Sequence, residues 1–418
     1  MNKVCVLGLG YIGLPTAAVL SAHDLEVIGV DLNPDVVKTI NQGAIHIEEP
    51  GLSGWVQEAV SSGKLRATGS PVPADVFIIA VPTPITAECK ADMSCVRAAA
   101  QSIISCLRPG NLVVLESTSP PGTCRDLLAT LFESAGFRIG TDLFLAYCPE
   151  RVLPGKILTE LVENDRVIGG MDEASTKKAI ALYDRFVRGK LIATTATTAE
   201  VVKLMENTYR DVNIALANET ALLCEELGVD YWEMARCANH HPRVHLHSPG
   251  PGVGGHCIAV DPWFLVEANP EGTSMIQEAR RRNDDMPRKV AEKALAMTAS
   301  IEKPVIAVLG LAYKADVDDL RESPALKVTE FLQQARVDLR LCDPFVKADR
   351  YPVQSLESCL QGADMILLLT DHSEFKTVSP VQASEWMRNR KVFDTRRALP
   401  RGSWVQAGFE FTCLGVGL

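Results

Sequence analysis

The chain has 418 residues, too many for one compact core, so two or three domains are expected. Hydrophobic residues make up 47% and charged residues 22%, the balance of an ordinary globular protein. A net charge of −10 argues against general nucleic-acid binding, which needs a basic surface to displace phosphate counterions; an anionic ligand must be held by local basic side chains. The twelve cysteines contain no Cys-x-x-Cys pair and suggest reduced, mostly buried thiols rather than a disulfide framework.

The chain opens on an apolar stretch, 4–20, preceded by Lys3. Three glycines and Pro15 interrupt it, which suits neither the core of a signal peptide nor a membrane span, so the expected compartment is the cytoplasm. A better reading is a short buried strand at 4–7, then Gly8-Leu9-Gly10-Tyr11-Ile12-Gly13, an Ala-rich helix, and a second strand at 25–30 ending at Asp31. This order of strand, glycine turn, helix, strand and acid forms a dinucleotide site. Gly8 permits the tight turn, Gly10 lets backbone approach the pyrophosphate, and Gly13 lets helix pack on strand. The helix start offers free N–H groups to phosphate. Asp31 can accept from ribose hydroxyls, which favours NAD over NADP. Further strands are expected at 76–81, 112–115 and 143–146. The first two end in polar loops carrying Thr83 and Thr118, where the carboxyl edge of a parallel sheet meets its ligand; loop capping is the plain alternative.

Glu150 and Arg151 follow the strand at 143–146 in Cys148-Pro-Glu-Arg-Val152. Acid–base work by Glu150 and a phosphate or sugar contact by Arg151 stand against an exposed loop ion pair. A long helix free of Pro and Gly is expected from 197 to about 227. Lys203, Asn207 and Asp211, with Arg210, fall on one face, and the first two can donate to an oxyanion. The segment 242–262 is too rich in Gly and Pro to be helical throughout. It holds the run Pro249-Gly-Pro-Gly-Val-Gly254-Gly-His-Cys257, with Asp261 four residues on. Cys257 is the candidate nucleophile: a thiolate that traps an aldehyde and leaves a thioester after a second hydride loss would carry an alcohol to an acid. A buried inert thiol is the plain alternative. The histidines between 240 and 256 match no zinc spacing, and no metal is expected. Near 305 a strand pattern restarts as Val-Ile-Ala-Val-Leu-Gly310-Leu-Ala-Tyr313-Lys314, echoing 4–13. A helix should begin at Ser323-Pro324, and a strand at 337–342 ends at Asp343, echoing Asp31. This reads as a second Rossmann-type unit with a decayed fingerprint, in which Lys314 and Arg321 supply charge for a phosphate ligand other than NAD.

The motifs Gly8-Leu-Gly-Tyr-Ile-Gly, Val81-Pro-Thr-Pro, Glu116-Ser-Thr-Ser-Pro-Pro-Gly, Tyr147-Cys-Pro-Glu-Arg, Lys203-Leu-Met-Glu-Asn, Gly252-Val-Gly-Gly-His-Cys and Lys314-Ala-Asp-Val-Asp-Asp-Leu-Arg-Glu-Ser-Pro together resemble the nucleotide-sugar 6-dehydrogenases, over essentially the whole chain. His241-Pro-Arg243-Val and Tyr209-Arg-Asp-Val-Asn-Ile-Ala resemble the branch acting on UDP-N-acetyl-D-mannosamine. The chief rival is the N-acetylglucosamine branch; a silent nucleotide-sugar-binding protein and a β-hydroxyacid dehydrogenase are rivals from other classes. Cys124 departs from the family, where a small hydroxyl residue is expected.

The resemblance implies two doubly wound α/β domains, 1–196 for NAD and 299–418 for the UDP-sugar, joined by a helical connector and dimerisation domain at 197–298. It implies an NAD-dependent, four-electron oxidation at C6 serving bacterial surface polysaccharide, with no membrane partner. It assigns Cys257, Lys203, Asn207, Asp261, Glu150 and Thr118 to catalysis, with the choice of Asp261 or Glu150 as water activator open. It assigns Gly8, Gly10, Tyr11, Ile12, Gly13, Asp31, Thr83, Thr118 and Arg321 to the cofactor. Arg151, Val152, Lys203, Asn207, Arg210, His241, Arg243, Gly254, Tyr313 and Lys314 fall to the UDP-sugar, with His241 and Arg243 reaching a partner subunit's site in a homodimer.

Overall fold

The structure, a computed structural model, describes residues 1–153 and 155–417. It divides into two compact units, Met1–Glu206 with Trp263–Pro270, and Asn207–Pro262 with Glu271–Leu418.

The first unit is built on a sheet of eight strands: β1 (Lys3–Leu7), β2 (Glu26–Val30), β3 (Leu65–Thr68), β4 (Val76–Ile79), β5 (Asn111–Leu115), β6 (Leu143–Tyr147), β7 (Arg166–Gly170) and β8 (Leu191–Thr195). Their order is β3-β2-β1-β4-β5-β6-β7-β8, parallel throughout except where β7 meets β6. Alternate residues of one strand feed opposite faces: Val4 and Val6 enter one core, Cys5 and Leu7 the other. Burial on both faces is why these strands read as unbroken apolar runs rather than as alternation. Each such Val or Leu contributes at most about 1.5–3 kcal/mol. The strand order reverses between β1 and β4, which puts the crevice for a ligand at their carboxyl ends.

The second unit holds a smaller, all-parallel sheet of β9 (Val305–Leu309), β10 (Asp338–Cys342), β11 (Met365–Leu368), β12 (Lys391–Asp394) and β13 (Glu410–Cys413), in the order β10-β9-β11-β12-β13. The helix Pro324–Gln334 begins where Ser323-Pro324 places it. Ser323 accepts from the Ala325 N–H at 3.2 Å, and Pro occupies a first-turn position where no N–H is needed. The expected long helix is present as Ala196–Leu227, and Ser274–Thr298 is a second long helix.

A buried polar network joins these two helices within the second unit. Arg280 donates to Asp211 at 2.6 Å and to Asp284 at 2.5 Å. Asn283 donates to Asp211 at 2.8 Å and accepts from Asn218 at 2.9 Å, and the Asn218 carbonyl takes the Gly250 N–H at 2.9 Å. The chain of bonds therefore runs from helix to helix and out to the glycine-rich segment. Among the described residues no helix is long and apolar enough to cross a membrane.

Candidate active site

The turn after β1 has the geometry its three glycines foretell. Gly8 has φ +88°, and a Cβ there would come within 2.6 Å of the Ala80 carbonyl oxygen. A Cβ on Gly13 would overlap the Gly8 carbonyl, whereas one on Gly10 would meet nothing within 4 Å. Two glycines thus close the turn, and the third leaves an open approach to backbone. The helix that follows, Gly13–Ala22, has no side-chain cap at its start; the Leu14 N–H bonds to the Gly10 carbonyl at 3.1 Å and Pro15 carries none, so an anion there would be met by the Gly13 N–H and the turn before it. Asp31, just past β2, is held half-buried by accepting from the Leu9 N–H at 3.1 Å and the Asn33 N–H at 2.9 Å. Tyr11 and Ile12 lie on the exposed side of the same turn. These residues fit a dinucleotide with its pyrophosphate at the helix start.

Thr83 and Thr118 sit half-buried on the loops beyond β4 and β5. Ser117 ties the two loops by donating to the Val81 carbonyl at 2.7 Å. The far end of the Thr118 loop is clamped by buried Glu200, which accepts from the N–H groups of Gly122 at 2.6 Å and Cys124 at 2.8 Å. The Cys124 thiol also bonds to Glu200, so it fills the place of the expected hydroxyl.

Beneath these loops lies a buried ionisable cluster that sequence reading missed. Glu116, the residue after β5, accepts from the Tyr183 hydroxyl at 2.6 Å and lies 3.5 Å from the Thr16 hydroxyl. Burial pushes its carboxyl up to about 7; Glu150 adds to that, while Arg166 and the hydrogen bond from Tyr183 oppose it. Arg166 donates to Glu150 at 3.0 Å with both side chains nearly inaccessible. Glu150 is therefore no exposed loop group; it belongs to an interior ion pair. Arg151 turns away, pairing with Glu206 at 2.6 Å and with the Asp165 carbonyl. Val152, half-buried, packs on the core beside them.

In the second unit Asn207 donates to Asp261 at 2.6 Å, joining residues 54 apart. Asp261 opens the helix Asp261–Ala268, and its N–H bonds to the Cys257 carbonyl at 2.8 Å, so the half-buried Cys257 stands one turn before that helix. Lys203 and Asp211 are buried one turn either side of Asn207 on the long helix. The shared face expected for these residues holds on the helix; Arg210, seven residues after Lys203, lies on it as its exposed member.

The glycines before Cys257 are required by packing. A Cβ on Gly254 would meet the Glu322 carbonyl at 2.7 Å and Tyr313 at 2.8 Å, and one on Gly255 would meet the Tyr313 ring at 2.9 Å. Burial raises the Tyr313 phenol, and the Asp319 carboxylate and Cys257 sulfur add to this while Arg321 and Arg210 oppose it. Those four groups therefore lie within electrostatic reach of Tyr313. Arg321 is held in a two-pronged pair by Asp319 at 3.0 and 2.6 Å; Lys314 is exposed. His241 and Arg243 lie on an exposed turn. No three His, Cys, Asp or Glu side chains among the described residues gather as a metal site.

The echo of Asp31 by Asp343 holds at atomic detail. Asp343 accepts the Leu311 N–H at 2.7 Å, as Asp31 accepts that of Leu9. Here, however, the carboxylate is spent internally: it also takes the N–H groups of Ala312, Phe345 and Val346 and the His372 ring at 3.0 Å. His372 Nδ1 accepts from the Asp316 N–H, so the ring proton is on Nε2 and points at Asp343. Burial opposes the charge on Asp343, yet His372 and the backbone donors hold it down at about 2. Phe345 stacks on the same imidazole at 5.1 Å.

Three family descriptions match successive parts of the chain: the NAD-binding domain of the UDP-glucose/GDP-mannose dehydrogenase family over residues 2–187, its central domain over 197–285, and its UDP-binding domain over 307–401. The chain is 46% identical to a UDP-N-acetyl-D-mannosamine dehydrogenase of Methanococcus maripaludis, covering 100% of this chain and 98% of that one. It is 48% identical to an NDP-N-acetyl-D-galactosaminuronic acid dehydrogenase of Ralstonia solanacearum, covering 94% and 96%. A solved UDP-D-ManNAc dehydrogenase from Pyrococcus horikoshii superimposes with a TM-score of 0.93 at 43% identity over 99% of both chains. With all three domains matched in order and the dinucleotide turn intact, the chain belongs to the UDP-glucose/GDP-mannose dehydrogenase family and is an NAD-dependent UDP-sugar dehydrogenase.

Proposed function

We propose that the chain oxidises the C6 alcohol of UDP-N-acetyl-D-mannosamine to the carboxylate through a covalent intermediate on Cys257. The observation that carries this reading is the Asn207–Asp261 hydrogen bond one helical turn from Cys257, which gathers a nucleophile, an oxyanion donor and a carboxylate. NAD, when bound, accepts one hydride in each of two successive oxidations. In the first, the C6 hydroxyl proton passes to a water held by Asp261 and Lys203. The Cys257 thiolate then adds to the aldehyde carbon, and Lys203 and Asn207 stabilise the oxygen that becomes an oxyanion. Loss of the second hydride leaves a thioester. Water, activated by Asp261 or by Glu150 with help from Thr118, cleaves it to the acid and frees the thiol. Arg151, Val152, Arg210, Gly254, Tyr313 and Lys314 serve the UDP-sugar, and Arg321 serves the cofactor. The enzyme works in the cytoplasm on the way to a surface polysaccharide.

The choice of epimer rests on the full-length similarity to the mannosamine enzymes and on His241-Pro-Arg243-Val. The Ralstonia relative, named for a galactosamine derivative, makes the galacto epimer the second sugar to test. A panel of UDP-N-acetylmannosamine, UDP-N-acetylgalactosamine, UDP-N-acetylglucosamine and UDP-glucose, scored by NADH yield, tests both points. Two NADH per mannosamine sugar are expected; preference for another sugar refutes the epimer. Cys257→Ser should abolish acid formation, and full activity in that variant refutes the thioester route.

We also propose a homodimer through the long helix. Tyr209, Leu216, Leu223 and Leu227 are exposed large side chains at spacings of seven, seven and four, the period of a helix seam. Exposed His241 and Arg243 are then free to serve the partner's site. Leu223→Glu should shift sedimentation to the monomer.

A further inference from the structure

We propose that Glu49 is a positioning residue for the sugar nucleotide: it fixes the segment that presents Arg151 and Val152. Glu49 is 6% exposed and lies far from any motif used above. Its two carboxylate oxygens accept the Gly155 and Ile157 N–H groups, each at 2.8 Å, across more than a hundred residues of sequence. The helix Ile157–Glu163 has no side-chain cap of its own from Lys156, so Glu49 supplies that function from a distant segment. Ile47 and Leu52 on one side, and Ile157 and Leu161 on the other, enter the same core, which fixes the carboxylate against its two donors.

The other end of the segment is held as firmly. Glu150 is locked by Arg166, and the Leu153 N–H is taken by Glu160 at 2.8 Å. Arg151 and Val152 therefore hang between two buried charged anchors rather than on a free loop. Holding a binding group in place before the ligand arrives removes an ordering cost from binding, and small displacements of such groups are costly. The inference rests on the reading that this segment meets the UDP-sugar.

The test uses Glu49→Ala and Glu49→Gln in the full-length enzyme, with Arg151→Ala as reference. Glutamine keeps one acceptor oxygen and the side-chain volume, so it carries the test if alanine fails to fold. KM for the UDP-sugar should rise on the order of tenfold, while NADH affinity, read by fluorescence titration, stays within about twofold. Amide exchange at Gly155 and Ile157 should quicken in the same variants. The inference is overturned if exchange quickens and the sugar KM does not move, or if sugar and NADH affinity fall together. If Arg151→Ala itself leaves the sugar KM unchanged, the site reading fails. If Arg151→Ala raises it and the Glu49 variants do not, only the role of Glu49 fails.

Discussion

Replacing Glu116 by glutamine should change how stability depends on pH, and the sign follows from the burial of that carboxyl. Its ordinary value is 4.5, and in the fold it is pushed up to about 7 by burial, with Glu150 adding and Arg166 opposing. Between these two values the folded chain keeps a proton that the unfolded chain has lost, so this group's contribution is full below 4.5 and disappears as pH rises through 7. At about 1.4 kcal/mol for each pH unit between the two, the loss approaches about 3 kcal/mol. Glutamine cannot ionise, and it can still accept from Tyr183. Urea unfolding of both proteins from pH 5 to pH 8.5 reads the effect as a difference, which cancels the histidines common to both. The variant should gain on the wild type by about 2.5 kcal/mol across that range. A difference that stays flat, or moves in favour of the wild type as pH rises, refutes the assignment of a buried, proton-retaining Glu116. Arg166, Glu150, Cys148 and Tyr183 are the other ionisable groups facing it, and none is removed by the substitution.

Asp211→Ala leaves the interior Arg280 with only the more exposed Asp284 and should cost up to about 3–5 kcal/mol in urea unfolding, because a buried ion pair loses one of its partners. Gly10→Ala and Gly13→Ala should separate binding from folding. The first has open space for its methyl group and should melt like wild type while weakening NADH binding; the second drives a methyl into the Gly8 carbonyl and should lose about 3 kcal/mol or more of stability. Equal behaviour of the two glycine variants in a thermal melt would contradict the roles assigned to that turn.

What sequence reading recovered was whatever lies close along the chain. The dinucleotide turn, its helix and Asp31 fall within about thirty residues, and each demands a particular residue type for a local reason. The short step from Cys257 to Asp261, closed by one backbone hydrogen bond, was legible for the same reason, as were Ser323 and Pro324 at their helix start. The buried groups around Glu116 were not. Glu116 and Tyr183 are 67 residues apart, Glu150 and Arg166 are 16 apart, and only the strand order brings the four together. Read alone, Glu150 and Arg151 left an exposed loop ion pair as the plain alternative, whereas each side chain has a different partner. Strands β7 and β8 escaped notice because one begins with a charged Arg166 whose buried partner was unknown, and the other is an edge strand with little apolar demand. The packing demand on the glycines before Cys257 was hidden because the Tyr313 ring that presses on them lies nearly sixty residues away.

The two Rossmann-like units differ most at the acid that ends their second strand. Asp31 still has lone pairs to offer, whereas Asp343 is filled by four backbone N–H groups and an imidazole. For a ribose to be gripped there, His372 would have to leave and an interior carboxylate would lose its strongest neighbour. One molecule thus keeps two nucleotide-type halves from competing for the same coenzyme, and surplus NAD has no reason to clog the half reserved for the sugar donor.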